Sequence, residues 1–436
     1  MNIEKRLRRA SLRAARALRP VRRILARPGP HSVAPHQIHL VWTGDPARHL
    51  GVAWQSGSEG TRPCVEVRRV GESDWRRQAA RSIVAAAPKG FLHHCEIEGL
   101  DPGSEYEYRV SSEAGVEAAW SGVQRARTAA SAGEGPSTVA FFADTAVAGR
   151  RDGCSAAMMR VVGELAADDP FLLIGGGDYV YADTDERFLD PAEAIDAWYE
   201  QMEPVFTRSI FMPTFGNHDV GLGERYSDWI PRLFWPPGED DVQSRSFDLG
   251  DAHFCALFAP GEAPDHRELE WLERDLAGSR AQGARWLIVY QHAPLFAYGT
   301  SHPARAEVRE ALLPIFERHR VDLHLSAHDQ SYERTAPLCE SGSKRAAPIS
   351  PGSASYRVGE GVLYVKVSPF GKLSNRGGSF SHLGAAPGDE IVVRNDDCHH
   401  YALLRIEPDR LEVEIVGVPE DPGPRRQVDR FVIERD

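Results

Sequence analysis

No stretch of the 436 residues approaches the eighteen or so consecutive apolar residues that a membrane-spanning helix needs. Arginines interrupt the first segment too often for the apolar core of a secretory leader, so the sequence points to a chain inside the cell or on a membrane surface. Cysteine is sparse: Cys64, Cys95, Cys154, Cys255, Cys339 and Cys398 lie scattered without close pairs, which excludes a zinc-ribbon spacing and a dense disulfide scaffold. The body of the chain is short of positive charge relative to negative. The net charge is -12, yet residues 1–28 hold ten Lys/Arg against Glu4 alone, about +9, which leaves about -21 on the remainder. An acidic body argues against nucleic acid as the main ligand, because binding a phosphate backbone needs a basic surface.

What is present suits a soluble globular fold, with 42% hydrophobic and 26% charged residues. The length exceeds what one hydrophobic core usually supports, so two domains are expected. Residues 1–35 form a basic arm and linker. A helix over residues 1–19, with Leu7, Ala14 and Leu18 near one side, has two readings: peripheral contact with an anionic membrane, or a solvated arm. From 36 to 130 short alternating segments recur between turn residues, among them Gln37–Trp42, Leu50–Trp54, Cys64–Arg68, Phe91–Ile97 and Tyr106–Val110. That spacing points to an antiparallel β-sandwich. The segment Leu100-Asp-Pro-Gly-Ser-Glu-Tyr106-Glu-Tyr108 resembles the turn and tyrosine-bearing strand of fibronectin type III domains. No acid/base cluster occurs there, so the region reads as a packing or substrate-rim module.

After a linker ending at Pro136 the period changes, and strands alternate with helices from 137 to 436. Five apolar segments end in polar residues: Asp144 after Phe141-Phe-Ala, Asp178 and Tyr181 after Phe171–Gly177, Asn217-His218-Asp219, His292, and His328-Asp329-Gln330. One polar strand end is commonplace, but five from separate segments suggest a shared site, since open α/β sheets place ligands at the carboxyl ends of their strands. Two cations about 4 Å apart bind a phosphoester oxygen, activate water and screen charge on a leaving group. Holding them so close requires a shared carboxylate, and Asp178 is the candidate. A phenol such as Tyr181 becomes a ligand only beside a strong Lewis acid, which argues for ferric iron. Asn and His donors suit a softer divalent ion.

Taken together, these motifs resemble a purple acid phosphatase within the calcineurin-like metallophosphoesterases: Ala143-Asp144-Thr-Ala146, Gly177-Asp178-Tyr-Val-Tyr181, Gly216-Asn217-His218-Asp219, Val289-Tyr-Gln-His292 and Ala327-His328-Asp-Gln330. The resemblance implies an α/β (α+β) β-sandwich flanked by helices, preceded by an all-β fibronectin type III-like domain, and it covers nearly everything after residue 35. It implies that Asp144, Asp178 and Tyr181 hold a ferric ion, with Gln330 where the family has a His. Asp178, Asn217, His292 and His328 would hold Zn2+, Mn2+ or Fe2+. His218 would contact the phosphate, Asp219 would orient His218, and His302 would protonate the leaving alcohol. The expected chemistry is hydrolysis of a small-molecule phosphate monoester by a metal-bound hydroxide. Alternatives are a phosphodiesterase, as in alkaline phosphatase D-like enzymes, and a metal-impaired, non-catalytic member, because the neutral amide of Gln330 is a poorer donor than imidazole. Ala143 and Ala146 also replace family glycines. Glu333 and Arg334 are expected to brace the last motif, and His399-His400 to be structural.

Overall fold

The computed structural model describes residues 32–42, 44–84, 90–115, 119–149, 155–185, 187–188, 191–220, 226–235, 242–300, 302–339, 343–344, 354–373, 383 and 386–435. The helix expected over residues 1–19 lies outside them, as do most of the Gly/Ser/Pro-rich segments 341–356 and 372–390. Among the described residues no helix is long and apolar enough to cross a membrane. The chain divides into two compact units, Met1–Ser131 with Val180–Phe211 and His218–Pro236, and Ala132–Tyr179 with Met212–Asn217 and Pro237–Asp436.

In the first unit, the strands Leu50–Ser56, Phe91–Ile97, His36–Val41 and Arg81–Val84 pair antiparallel, and a second four-stranded sheet joins Arg76–Ala79, Cys64–Arg69, Glu105–Ser111 and Gln124–Arg127. Alternation produces this sandwich: Val65, Val67, Tyr106, Tyr108 and Val110 are buried while their neighbours Arg68, Glu105 and Glu107 reach outward. The Tyr106 hydroxyl accepts from the backbone N–H of Asp101 at 2.8 Å. That is the tyrosine corner the segment resembled. Tyr108 donates to the Thr207 carbonyl at 2.7 Å, and Leu40 pairs in parallel register with Ile210. The helix Pro191–Phe206 opens on proline, whose missing N–H costs nothing at that position.

The second unit holds the α/β architecture expected of the C-terminal part. Ser137–Phe142 and Leu172–Gly175 are parallel neighbours, and the hairpin His399–Glu407 with Arg410–Val418, continued by Arg426–Glu434, extends that sheet. Ala252–Ala256, Trp286–Tyr290, Leu323–Ser326 and Leu363–Lys366 run parallel in another sheet, edged by Arg245–Leu249. Buried on both faces, they read as continuous apolar runs. The helices His266–Ala281 and Ala306–His319 bury Leu272, Leu276, Val308, Leu312 and Phe316 against Leu287, Val289 and Tyr364. Asp265 caps the first of these helices by accepting from the N–H groups of Arg267 and Glu268.

Candidate metal centre

Every sequence-predicted ligand sits just beyond the end of a strand, where the backbone turns sharply. Asp144, Asp178, Tyr181 and His328 all have positive φ, at 54°, 58°, 48° and 71°. For residues with a Cβ this conformation costs energy, and such outliers cluster where function requires them. Ala146 shares it, with φ 70°, which gives the family's preference for glycine at that position a physical reason.

Glycine decides how closely the segments approach. Gly177 has φ 91°, and a Cβ there would lie 2.4 Å from the Gly216 nitrogen. A Cβ on Gly216 would in turn lie 2.1 Å from Asp178 Oδ1. Only two bare backbones fit.

The second unit brings Asp178, His292 and His328 together, with one donor atom of each within 4.8 Å of the others. His292 Nε2 lies 3.2 Å from Asp178 Oδ2 and 2.9 Å from His328 Nδ1. Its Nδ1 is 2.7 Å from the Gly176 carbonyl, which fixes this nitrogen as the donor and turns Nε2 toward the group. Burial opposes a charge on His292, but Asp178, with Asp144 behind it, outweighs burial and holds the imidazole up to about 9. The pocket therefore attracts positive charge. Asp144 is fully buried, and its Oδ2 accepts from the His328 N–H at 3.1 Å and from Ser368 Oγ at 2.8 Å. The Asn217 Oδ1 is buried without a hydrogen-bond partner. A buried carbonyl oxygen left unmatched costs about 1–3 kcal/mol, so the Asn217 oxygen has capacity for a further donor or a cation. Asp178, His292 and His328 offer carboxylate and imidazole donors that suit a divalent ion.

His302 packs its ring on His328, with centroids 4.5 Å apart. Its loop is docked by a charged network: the Tyr298 N–H donates to Glu333 at 2.8 Å, Gly299 lies against Asp329, and buried Lys366 binds Asp329, Ser331 and Glu333. Gln330 is 5% exposed within the same loop. Glu333 thus braces this region, and Arg334 is buried on Asp429 at 2.6 Å. His399 and His400 are structural: His399 meets Glu420 at 2.8 Å, and His400 lies 2.9 Å from the Ser368 carbonyl and 2.8 Å from Asn395 Oδ1.

Tyr181 and His218 belong to the first unit, with ring centroids 4.4 Å apart. His218 Nδ1 lies 2.7 Å from Asp183 Oδ1. The carboxylate on Nδ1 is therefore Asp183, not Asp219 as expected from adjacency. Asp219 follows His218 within a single helical turn, Asn217–Val220, where consecutive side chains point about 100° apart, and it is itself buried. Asp183 had a visible signal, since it closes the Gly-Asp-Tyr-Val-Tyr-Ala-Asp segment, whereas Ser368 and Lys366 had none.

Residues 35–128 match the family model "Purple acid Phosphatase, N-terminal domain", and residues 137–332 match "Calcineurin-like phosphoesterase". The chain is a purple acid phosphatase-like member of the calcineurin-like phosphoesterases. This phosphoesterase is 28% identical to acid phosphatase type 7 of Homo sapiens over 71% of this chain and 73% of that protein. It is 23% identical to Fe(3+)-Zn(2+) purple acid phosphatase 12 of Arabidopsis thaliana, over 81% of this chain and 78% of that one. The structure of purple acid phosphatase PPD1 from yellow lupin (Lupinus luteus) seeds superposes with a TM-score of 0.72 at 19% identity, covering 92% of this chain and 75% of that one. That likeness establishes the shared fold of an N-terminal β-sandwich followed by an α/β phosphoesterase domain.

Proposed function

We propose that this phosphoesterase is a phosphomonoesterase with a binuclear centre, acting on small-molecule phosphate esters. The observation that carries the reading is the convergence of Asp178, His292 and His328, to which the reading adds Asn217, whose buried Oδ1 has no hydrogen-bond partner. In this reading Asp178, Asn217, His292 and His328 hold a divalent ion (Zn2+, Mn2+ or Fe2+). Asp144, Asp178, Tyr181 and Gln330 hold the second ion, ferric iron if the Arabidopsis relative is a guide. Bound there, the pair supplies Lewis-acid activation of water and neutralises charge on the phosphoryl group. The residues of the chain do the rest. Asp183 fixes the tautomer of His218 so that Nε2 is presented to a phosphate oxygen. His302, seated on His328, delivers a proton to the leaving alkoxide, a role suited to imidazole in mildly acidic solution. In this reading the N-terminal β-sandwich domain, 36–130, is a packing or substrate-rim module, and the catalytic domain is 137–436.

The test is metal analysis alongside turnover of chromogenic phosphate mono- and diesters. Two ions per chain, faster monoester turnover, and loss of both metal and activity in Asp178→Asn are expected. Faster diester turnover would make the protein a phosphodiesterase. A second reading, a metal-impaired member, rests on Gln330, buried where the family has a His. A chain with no bound metal and no turnover with iron, zinc or manganese, both restored by Gln330→His, would establish that reading. A violet colour lost in Tyr181→Phe is expected if a phenolate meets ferric iron.

A further inference from the structure

A second convergence of donors lies elsewhere in the second unit, on the edge pair Arg245–Leu249 and Ala252–Ala256. His253 and Cys255 are two apart on one strand, so the pleat places both on one face. Their cross-strand partners are Asp248 and Ser246, and the helix His266–Ala281 contributes Asp275. His253 Nε2 lies 2.8 Å from Asp275 Oδ2 and 3.6 Å from Cys255 Sγ, and the thiol donates to that same carboxylate oxygen at 2.7 Å.

We propose that His253, Cys255 and Asp275 form a site for one divalent transition-metal ion, zinc by its donor set, separate from the Asp178–His292–His328 group. Imidazole nitrogen, thiolate sulfur and carboxylate oxygen are the donors zinc prefers. Tetrahedral zinc places a nitrogen and a sulfur ligand about 3.6 Å apart, which is the separation present here. The Asp275 oxygen has to withdraw by about 0.5 Å from the nitrogen and about 0.8 Å from the sulfur to reach zinc-site separations, within the reach of one side-chain rotation. The surrounding hydrogen bonds are those a metal site requires. His253 Nδ1 lies 2.7 Å from Asp248 Oδ1, and Ser246 Oγ donates to the other Asp275 oxygen at 2.5 Å. A carboxylate behind a ligating imidazole fixes its tautomer and raises its basicity.

Binding exchanges two protons for the ion, one from His253 Nε2 and one from the Cys255 thiol, both passing to solvent. Without an ion the three side chains hold one another through the shared Asp275 oxygen, 2.8 Å from His253 Nε2 and 2.7 Å from the Cys255 thiol. The Asp275 side chain is 15% exposed, so solvent reaches the cluster, and water would complete the coordination of an ion with three protein ligands. The ion would clip the edge strands to the helix.

The experiment strips the full-length protein with a chelator and titrates it with Co2+. None of the residues proposed for the binuclear centre carries sulfur, so a near-ultraviolet sulfur-to-cobalt charge-transfer band comes from a cysteine, and its loss in Cys255→Ser assigns it to this site among the six cysteines. The band should reach the intensity of one cobalt–thiolate bond per chain, vanish in Cys255→Ser and be displaced by zinc. Asp248→Asn alters a side chain that is 70% exposed and tolerates substitution. It should keep the wild-type circular dichroism and weaken Co2+ binding about 10- to 100-fold. Absence of the band, or its survival in Cys255→Ser, overturns the proposal. So does wild-type affinity in both Asp248→Asn and Asp275→Asn, which decide the matter if Cys255→Ser does not fold.

Discussion

Adding one methyl group at Gly216 should disable the phosphoesterase. The Cβ of Gly216→Ala would lie 2.1 Å from Asp178 Oδ1, and 2.7 Å from both its Cγ and its backbone nitrogen. Real Cβ contacts essentially never fall below 3.0 Å, so the carboxylate oxygen must retreat by about 0.9 Å and the backbone by about 0.3 Å. Rotating the side chain relieves the first clash but not the second. Misplacing a catalytic group by about 1 Å costs on the order of 100-fold in rate, and overpacking a tight core costs about 1–3 kcal/mol. We expect kcat/KM on a chromogenic phosphate ester to fall about 100-fold, bound metal to fall with it, and the melting temperature to drop. Gly163→Ala is the control, since that residue is exposed within the helix Met158–Asp168 and its Cβ would meet nothing within 4 Å. It should keep full activity and gain about 0.5–1 kcal/mol from helix propensity. Wild-type turnover and metal content in Gly216→Ala would refute the close-approach argument.

Asn217→Ala removes a buried oxygen with no protein partner, so the metal-free protein should lose no stability to urea, while the stabilisation gained on adding metal should shrink. Lys366→Met removes the buried cation shared by Asp329 and Glu333, leaving Glu333 with Arg394 and the Tyr298 N–H; a loss of about 3–5 kcal/mol is expected from denaturant melts, and retention of stability would show that the remaining partners suffice. Glu420 is held down to about 2 by the His399 N–H, against the opposing effect of burial and with help from Ser155. Burial lowers the His399 imidazole below its ordinary value, with Glu420 opposing that shift. Because the folded value lies below the ordinary 4.5, the contribution is present above about pH 4.5 and lost as pH falls toward 2. Urea midpoints across that window should flatten in Glu420→Gln, and an unchanged slope would assign the acid sensitivity to other groups.

The sheets of the second unit were legible because buried parallel strands announce themselves as unbroken apolar runs. Leu172–Gly175 and Trp286–Tyr290 fall where Phe171-Leu-Leu-Ile and Trp286-Leu-Ile-Val-Tyr place them. The strands Arg76–Ala79 and Gln124–Arg127 were not expected. Their side chains are mostly exposed and charged, so pairing with Cys64–Arg69 and Glu105–Ser111, not burial, makes them strands. Arg426–Glu434 was missed for a related reason: it opens on Arg-Gln-Val-Asp-Arg and is recruited by the neighbouring hairpin. The candidate ligands could be named because each sits at a strand end in a short motif. Their supports could not, because Ser368 lies 224 residues from the Asp144 it binds, and nothing local marks it.

The misassigned orienting carboxylate shows where motif reasoning stops. Asp219 is adjacent to His218 in sequence, but neighbours within one helical turn project to different sides, since only residues three or four apart share a face. Asp183 lies 2.7 Å from His218 Nδ1 and two residues after Tyr181, which has a left-handed φ of 48° and packs its ring at a tilt against the same imidazole. The same logic governs the other unit. Asp144, Asp178 and His328 each adopt a conformation costing about 1–3 kcal/mol. Asp144 is pinned by backbone bonds from Gly371 and Lys372 to its carbonyl, and by His328 and Ser368 on its carboxylate. Those contacts come from segments far apart in the chain, so the strained ligand geometry exists only once the whole sheet has formed. Gly216→Ala and Lys366→Met probe that dependence from opposite sides. The first displaces a ligand while leaving the scaffold, and the second weakens the scaffold beneath the His328 loop while leaving every proposed ligand in the chain. If the geometry is a property of the assembled sheet, both should lower bound metal, and the loss in Lys366→Met should deepen with denaturant well before global unfolding.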